Sequence, residues 1–133
     1  MSNSTPSITT VLKAGLIAAG VSAAVNLAYH FIYVAATGIA LPASIGWPQV
    51  LISSILPVML AGLGYFALLR FVPARARVIF VGVVLGLALL SLGGSFADPL
   101  PDGSPAPAGF ALWSAPMHIV AGLAAALLIP RRA

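Results

Sequence analysis

The longest uncharged stretch of this sequence constrains its fold more than any other feature. Residues 14–69 contain no Asp, Glu, Lys or Arg, a run of 56 positions between Lys13 and Arg70. A helix needs about 20 residues to cross about 30 Å of lipid hydrocarbon, so this run is long enough for two spans. The segment Gly38–Pro48, GIALPASIGWP, is rich in turn-forming residues and divides the run in two.

Two further apolar segments, Val78–Ala97 and Phe110–Ile129, are each one span long. Only 6% of the residues are charged and 61% are hydrophobic, whereas soluble domains carry about 25% charged residues. The first segment is longer than the core of a signal peptide, about 7–15 residues, so we expect it to stay as an anchor. We predict an all-α membrane protein with a single integral membrane domain, residues 1–133, and four transmembrane helices in an antiparallel bundle, at approximately 10–37, 48–71, 77–97 and 109–130.

The charged residues predict the orientation of these helices. With four spans, both termini and the middle loop lie on one side, and that side holds all six basic residues, Lys13, Arg70, Arg75, Arg77, Arg131 and Arg132. The two acidic residues, Asp98 and Asp102, fall on the other side as solvated loop charges. The positive-inside rule then places both termini in the cytoplasm. We expect Trp47 and Trp113 near the outer interface, where amphipathic rings settle.

Several classes of function are disfavoured by what the chain lacks. The basic residues are spread over three helix ends, which indicates membrane topology and not a nucleic-acid surface. No cysteine is present, which excludes disulfides and thiolate metal sites. There is no glutamate, both aspartates lie in a loop, and the glycine-rich LGGSFAD lacks a P-loop lysine. We therefore predict no catalytic residue and no metal site.

The segment NLAYHFIY, residues 26–33, places polar groups inside the first span. Residues at helical spacing form one stripe that is small at one end and polar at the other: Gly15, Ala19, Ser22, Asn26, His30, Tyr33 and Thr37. Asn and His are costly in lipid, so we predict that this stripe faces other helices. Counted inward from Thr37 and from Phe110, His30 and His118 each lie about 10–12 Å below the outer boundary. We expect the two histidines to meet.

These polar residues are the candidate ligand-binding residues: Asn26, Tyr29, His30, Tyr33 and His118. One interpretation is structural, with hydrogen bonds that fix the register of the helices. Another is a pocket for a lipid, a quinone or another amphiphile. A third is axial ligation of a haem or chlorophyll-type pigment by two facing histidines. The sequence assigns no cofactor.

Small residues and prolines indicate how the helices pack. Gly62 in helix 2, the GxxxG pair Gly82 and Gly86 in helix 3, and Gly122 in helix 4 allow close approach of helices. Internal packing and dimerisation explain the GxxxG pair equally well. Pro57 removes a backbone donor in mid-span, and Pro116 does the same in helix 4, so the freed carbonyls need other partners.

Three segments, SILPVMLAGLGYFALLRF, PARARVIFVGVVLGLALLSL and APMHIVAGLAAALLIP, resemble a family of small four-span bacterial membrane proteins classed as a domain of unknown function. Its most specific matching pieces are Ser54–Pro57 and Met117–His118, and Asn26 also matches. The resemblance implies a multi-pass protein of the bacterial cytoplasmic (inner) membrane and supplies no activity. YHFIY after Asn26 is richer in polar groups than the family pattern.

Three functional hypotheses follow from these features. The first is an accessory or scaffold subunit without enzymatic activity, which packs in the lipid bilayer with itself as a homo-oligomer or with another membrane protein. The second is a binder of a small hydrophobic ligand, quinone or pigment through His30 and His118. The third is a membrane-embedded isomerase or cyclase that needs only His, Tyr and Asn.

Overall fold

The computed structural model describes residues 6–133, and within them the chain forms four α helices and no strand. These are α1 (Ile8–Thr37), α2 (Trp47–Phe71), α3 (Ala76–Ser95) and α4 (Phe110–Arg132). Each is long and apolar enough to cross a membrane. The predicted all-α fold with four apolar helices is therefore confirmed.

Local hydrogen bonds explain where α1 begins and ends. The Ser7 side chain caps its first turn by accepting the Thr10 amide at 3.2 Å, so α1 begins two residues before the predicted start. Gly38 ends the helix with φ 65°, and its amide donates to the Val34 carbonyl at 2.9 Å. A left-handed residue at this position is the usual helix stop, and glycine adopts it without strain.

The ends of α3 and α4 differ from the predicted ones. α3 ends at Ser95. The amides of Phe96 and Ala97 donate to carbonyls three residues back, at 3.2 and 3.3 Å, so the chain there forms 3₁₀-type hydrogen bonds instead of α-helical ones. α4 continues through Pro130 to Arg132. Proline removes only one amide from the last turn, and Ala133 still donates to Ile129 at 3.1 Å.

The helices are arranged with α1 between α2 and α4. Along α2 the residue numbers fall as those of α1 rise, since Asn26 bonds Ser54 while Gly15 lies against Gly62. In the described part of the chain α1 does not touch α3, which packs on α4 and α2. The predicted stripe of α1 is buried from Gly15 to His30, which confirms that this part of the face is covered by other helices, whereas Tyr33 is half-buried and Thr37 is exposed.

Two helix pairs approach through small residues. A Cβ atom added at Gly122 would lie 2.5 Å from the Cβ of Ala88, so α3 and α4 approach each other there too closely for a side chain at position 122. Gly62 faces Gly15 at ordinary van der Waals distance. At Gly82 and Gly86, by contrast, an added Cβ would meet nothing within 4 Å. Internal packing is therefore the wrong interpretation of the GxxxG pair.

The two ends of the bundle are distinguished by what gathers there. The Ser44 hydroxyl donates to the Asp102 carboxylate, which joins the α1–α2 loop to the α3–α4 loop at what we call the loop end. Lys13 and Arg132 line one shallow cavity at the opposite end, which we call the terminal end. Large apolar side chains cover the outside of the bundle between them, with Val78 and Leu90 more than three-quarters exposed.

Candidate functional site: a polar chamber beside an apolar groove

The tyrosines of NLAYHFIY fasten α1 to the start of α4. Pro116 has no amide hydrogen, which leaves the carbonyl of Leu112 without its helical donor. The Tyr29 hydroxyl donates to that carbonyl at 2.6 Å. One turn further along α1, the Tyr33 hydroxyl donates to the Gly109 carbonyl at 3.0 Å. Gly109 adopts φ 87°, which favours glycine, and a Cβ there would also lie 2.9 Å from that hydroxyl.

His30 is buried against Trp113 and not against His118. The indole Nε1–H of Trp113 donates to His30 Nδ1 at 3.2 Å, and the rings meet edge to face with centroids 5.8 Å apart. Because an indole only donates, Nδ1 of His30 is an acceptor and the ring proton is on Nε2. Trp113 is 4% exposed and is covered by other helices, whereas Trp47 is 53% exposed; the depth of both rings near the outer interface stays a prediction.

Asn26 joins three helices. Its Nδ2 group donates to the Ser54 hydroxyl of α2 at 2.9 Å and to the Met117 carbonyl of α4 at 3.2 Å. The side chain is 2% exposed, and its Oδ1 atom is buried with no hydrogen-bond partner in the described part of the chain. A buried amide oxygen without a partner is uncommon, because such a group loses its water without compensation. On the stripe of α1, this atom and the Ser22 hydroxyl are the two buried polar groups without a partner in the described part of the chain.

The observed register separates the two histidines along the bundle. Tyr33 bonds Gly109 and His30 bonds Trp113, so α4 begins level with Tyr33 and not with Thr37. His118 follows Trp113 by five residues, which corresponds to about 7–8 Å along the helix. The expectation of equal depth is therefore wrong, because it assumed that both helices begin at the same level.

His118 lies instead in the wall of a cavity of about 420 Å³ that we call the chamber. The chamber lies between α2, α3 and α4 and extends to the loop end. Its polar walls include Asn26, Ser54, Ser91, Ser114 and His118, and Asp102 stands at its loop end. The walls do not include His30. Of the five residues predicted to bind a ligand, the chamber brings together Asn26 and His118.

An apolar groove adjoins the chamber on the side of the terminal end. It consists of two neighbouring cavities, one of about 310 Å³ between α2, α3 and α4 and one of about 500 Å³ between α2 and α3, which share Pro57, Ala61, Val84 and Leu87. The first of them also shares four wall residues with the chamber: Ser53, Ser91, His118 and Ala121. Pro57 and Leu87 are exposed, so the groove opens at the side of the bundle.

The mouth of the chamber is organised by Asp102. Its carboxylate accepts the Ser104 hydroxyl at 2.6 Å and the Ser104 amide at 3.0 Å, and it also accepts the Ser44 hydroxyl. These hydrogen bonds, that of the Ser104 hydroxyl first, lower the pKa of Asp102 to about 2. Asp102 is therefore ionised at neutral pH and places a negative charge at the mouth.

Sequence reasoning missed the residues that the loops and helix order bring together. Asp102 was expected to be a solvated loop charge, yet it joins two loops. Ser54 and Ser114 were not singled out as site residues, although their hydroxyls bond Asn26 and Ser95 in the walls of the chamber. Serines in an apolar span are a usable signal, because each needs a partner, but their partners depend on helix order.

Comparisons with known proteins leave the site to be interpreted from its own chemistry. No family model, no curated protein and no solved structure matches the chain. The resemblance to small four-span bacterial membrane proteins therefore stays a prediction. Among the described residues, no group of three or more His, Cys, Asp or Glu side chains is arranged to hold a metal ion.

Proposed function

We propose that this chain is a small multi-pass protein of the bacterial cytoplasmic membrane that binds an amphiphile between α2, α3 and α4. In this proposal the four helices cross the bilayer antiparallel to one another. Both termini are cytoplasmic and the loop end faces outward. The length and apolar character of the four helices support the membrane location. The six basic residues, all near the termini or the α2–α3 turn, support the orientation.

The observation that carries the proposal is the junction of two unlike cavities. The chamber wall combines apolar side chains with five serine hydroxyls, two side-chain amides, an imidazole and the Asp102 carboxylate, while the groove is lined almost entirely by aliphatic side chains. They meet at Ser53, Ser91 and His118. An amphiphile has the same division, so its head would occupy the chamber and its tail would follow the groove. The cavity volumes fall in the range of small-molecule sites, about 300–1,000 Å³.

The lateral opening of the groove supports entry from the bilayer. Pro57, Leu60 and Leu87 line the groove and are themselves exposed at the bundle surface. A long-chain ligand could therefore move from lipid into the groove without passing through water, which would cost about 0.8 kcal/mol for every CH₂ group exposed. Such a ligand would enter laterally between α2 and α3, with its head and its tail moving in at the same time.

The geometry supports binding more directly than catalysis. The ionisable side chains in the chamber wall are His118 and Asp102. Asp102 is held at the mouth by Ser44 and Ser104, and no hydrogen bond in the described structure links it to His118. Ligation of a pigment by both histidines is also less well supported, since His30 lies outside the chamber and Trp113 occupies its Nδ1.

A second candidate is the accessory subunit, which the open glycine pair of α3 favours. Gly82 and Gly86 lie one turn apart and face open space, so another helix could approach α3 closely there. Gly82→Leu with Gly86→Leu should then reduce self-association or co-purification of a partner. Gly20→Leu, which also faces open space on α1, is the matched control.

Native mass spectrometry of the gently extracted full chain tests the binding proposal. Wild-type protein should carry a stoichiometric extra mass in the range of a lipid or another amphiphile. Ala121→Leu, which adds bulk at the junction of chamber and groove, should lose that mass, because Ala121 lines both. Ala24→Leu at an exposed site of α1 should keep it. Bare wild-type chains in several mild detergents would contradict the proposal.

A further inference from the structure

The hydrogen bonds of Asn26 define what kind of group the chamber lacks. A side-chain amide has two N–H donors and one carbonyl acceptor. The orientation of this amide is fixed, because the Met117 carbonyl can only accept and must therefore face Nδ2. Ser54 receives the second N–H, so both donors are used while Oδ1 has no partner among the described residues. The missing partner is a hydrogen-bond donor.

Asn26 lines the chamber, so such a donor can come from there, although Oδ1 has less than 1 Å² of accessible surface and the side chain must shift for a ligand to reach it. Asn26 and both of its hydrogen-bond partners, Ser54 and Met117, lie in the chamber wall. Ser114 lies in the same wall and accepts from Ser95 at 3.0 Å, which leaves the Ser114 hydroxyl hydrogen for an incoming oxygen. A group that both donates and accepts is therefore matched to this wall, and a hydroxyl is the smallest group that does so.

The charges around the chamber disfavour an anionic head. No Lys or Arg lines the chamber or the groove in the described part of the chain. Lys13 and Arg132 lie at the terminal end, on a separate cavity. The charged group nearest the chamber is the Asp102 carboxylate at its mouth. A carboxylate or phosphate head would lose its hydration inside the bundle without a cation to replace it.

We propose that the chamber selects amphiphiles with a neutral hydroxyl head, whose O–H donates to Asn26 Oδ1, over amphiphiles with carboxylate or phosphate heads. This inference rests on the proposed amphiphile binding and adds the chemistry of the head. A neutral hydroxyl head is common to long-chain alcohols, diacylglycerols and hydroquinones. They differ in tail and ring, not in the O–H group that the chamber recognises.

Four probes with one common tail test the selection: hexadecan-1-ol, its methyl ether, palmitate and hexadecyl phosphate. Each is incorporated with the full wild-type chain into nanodiscs, and the amount bound is measured by native mass spectrometry relative to the amount in the disc. We expect hexadecan-1-ol to exceed its methyl ether by about tenfold, the usual effect of a buried hydrogen bond. Palmitate and hexadecyl phosphate should bind least.

Protein variants locate the effect at Asn26. Asn26→Leu should abolish the preference for the alcohol over the ether while both still bind. Ser22→Ala is the matched control, because Ser22 is also buried without a partner on the same face of α1 but does not line the chamber. It should keep the tenfold preference. If Asn26→Leu does not fold, the four probes on wild-type protein decide the question alone.

The outcomes separate this inference from the proposed function. Binding of all four probes to similar extents would overturn the head selection and leave amphiphile binding in place. Preference for palmitate or hexadecyl phosphate would overturn it as well. Failure of every probe to bind would overturn the proposed function itself. To identify the source of the hydroxyl, dioleoylglycerol and a long-chain hydroquinone are then compared with hexadecan-1-ol in the same discs.

Discussion

The two sides of this bundle are built differently. On the side of α4 that faces α1, four side chains of α1 and α4 form hydrogen bonds across the interface: Asn26, Tyr29, Tyr33 and Trp113. Between α2 and α3 the described structure contains no side-chain hydrogen bond, and the Tyr65–Phe80 ring contact near the terminal end accompanies an otherwise open groove. Lipid gives apolar helices little reason to associate, so polar bonds and close small-residue contacts decide which interfaces close.

This difference follows from the side chains that the sequence places at each interface. The closed interface uses polar groups that would be costly in lipid, and most of them find a partner on the neighbouring helix, whereas Asn26 Oδ1 and the Ser22 hydroxyl have none among the described residues. The open interface is lined by aliphatic side chains that are as stable against lipid tails as against one another. A hydrophobic tail can therefore replace lipid in the groove at little cost, while the closed side holds the chamber in shape.

The largest effect is expected from a side chain added at the close contact of α3 and α4. Gly122→Val would place its Cβ 2.5 Å from the Cβ of Ala88, which is too close for two carbon atoms. The helices must then separate, and overpacking of this kind costs about 1–3 kcal/mol. Unfolding of the purified protein by a denaturing detergent measures the loss. Gly86→Val, which faces open space, should unfold close to wild type, and equal losses in both variants would refute the assigned contact.

Removal of one hydroxyl should weaken the closed interface to a smaller degree. Tyr29→Phe leaves the Leu112 carbonyl without a donor, since Pro116 has already removed the helical one. We expect a loss of about 1–2 kcal/mol in the same unfolding assay. Tyr65→Phe is the control, because the Tyr65 hydroxyl forms no hydrogen bond within the described structure. A loss at Tyr65 as large as that at Tyr29 would contradict the assigned role of Tyr29.

The loop end should respond to acid in a defined range. The lowered pKa of Asp102 means that its contribution to the loop contact is present above its unfolded value, near 3.8, and is lost as the pH falls through about 2. NMR titration of the carboxyl carbon should give that midpoint. Ser104→Ala should raise the midpoint more than Ser44→Ala, because the Ser104 hydroxyl lowers the pKa most. The reverse order would contradict the assigned hydrogen bonds.

The smallest effect on stability is expected in the open groove. Leu87 is 60% exposed and lines both cavities of the groove. Leu87→Ala exchanges contacts with lipid more than contacts with protein, so we expect a change of at most about 0.5 kcal/mol. Bound amphiphile should nevertheless decrease, because the tail loses a neighbour. A stability loss as large as that of Gly122→Val would mean that this interface is closed.

The helices and their buried faces could be predicted from the sequence because both depend on local pattern. Apolar runs of span length determined the four helices, and the 3.6-residue period identified the buried stripe of α1 from Gly15 to His30. The Tyr29 and Tyr33 hydrogen bonds place α1 beside α4, an arrangement that the expected meeting of His30 and His118 required. These features require no knowledge of how far one helix is shifted against another.

The chamber could not be predicted, because it is a space between helices and depends on their order and relative shift. Counting residues inward from the predicted helix ends placed His30 level with His118. In the observed register of α1 and α4, His30 is level with Trp113. The same shift brings His118 to the junction of chamber and groove. An error of five residues in the register of α4 is therefore enough to predict that His118 pairs with His30, when it lies in the wall of the chamber.

Photolabelling with a diazirine-bearing hexadecanol tests the difference between the two sides most directly. The probe is activated in nanodiscs containing the full chain, and labelled positions are located by peptide mass spectrometry. We expect labels concentrated on groove residues such as Ala61 and Val84, and removed by excess hexadecan-1-ol. Labels spread evenly over lipid-facing residues, including Val21 and Val25 on α1, and unaffected by competitor would contradict it.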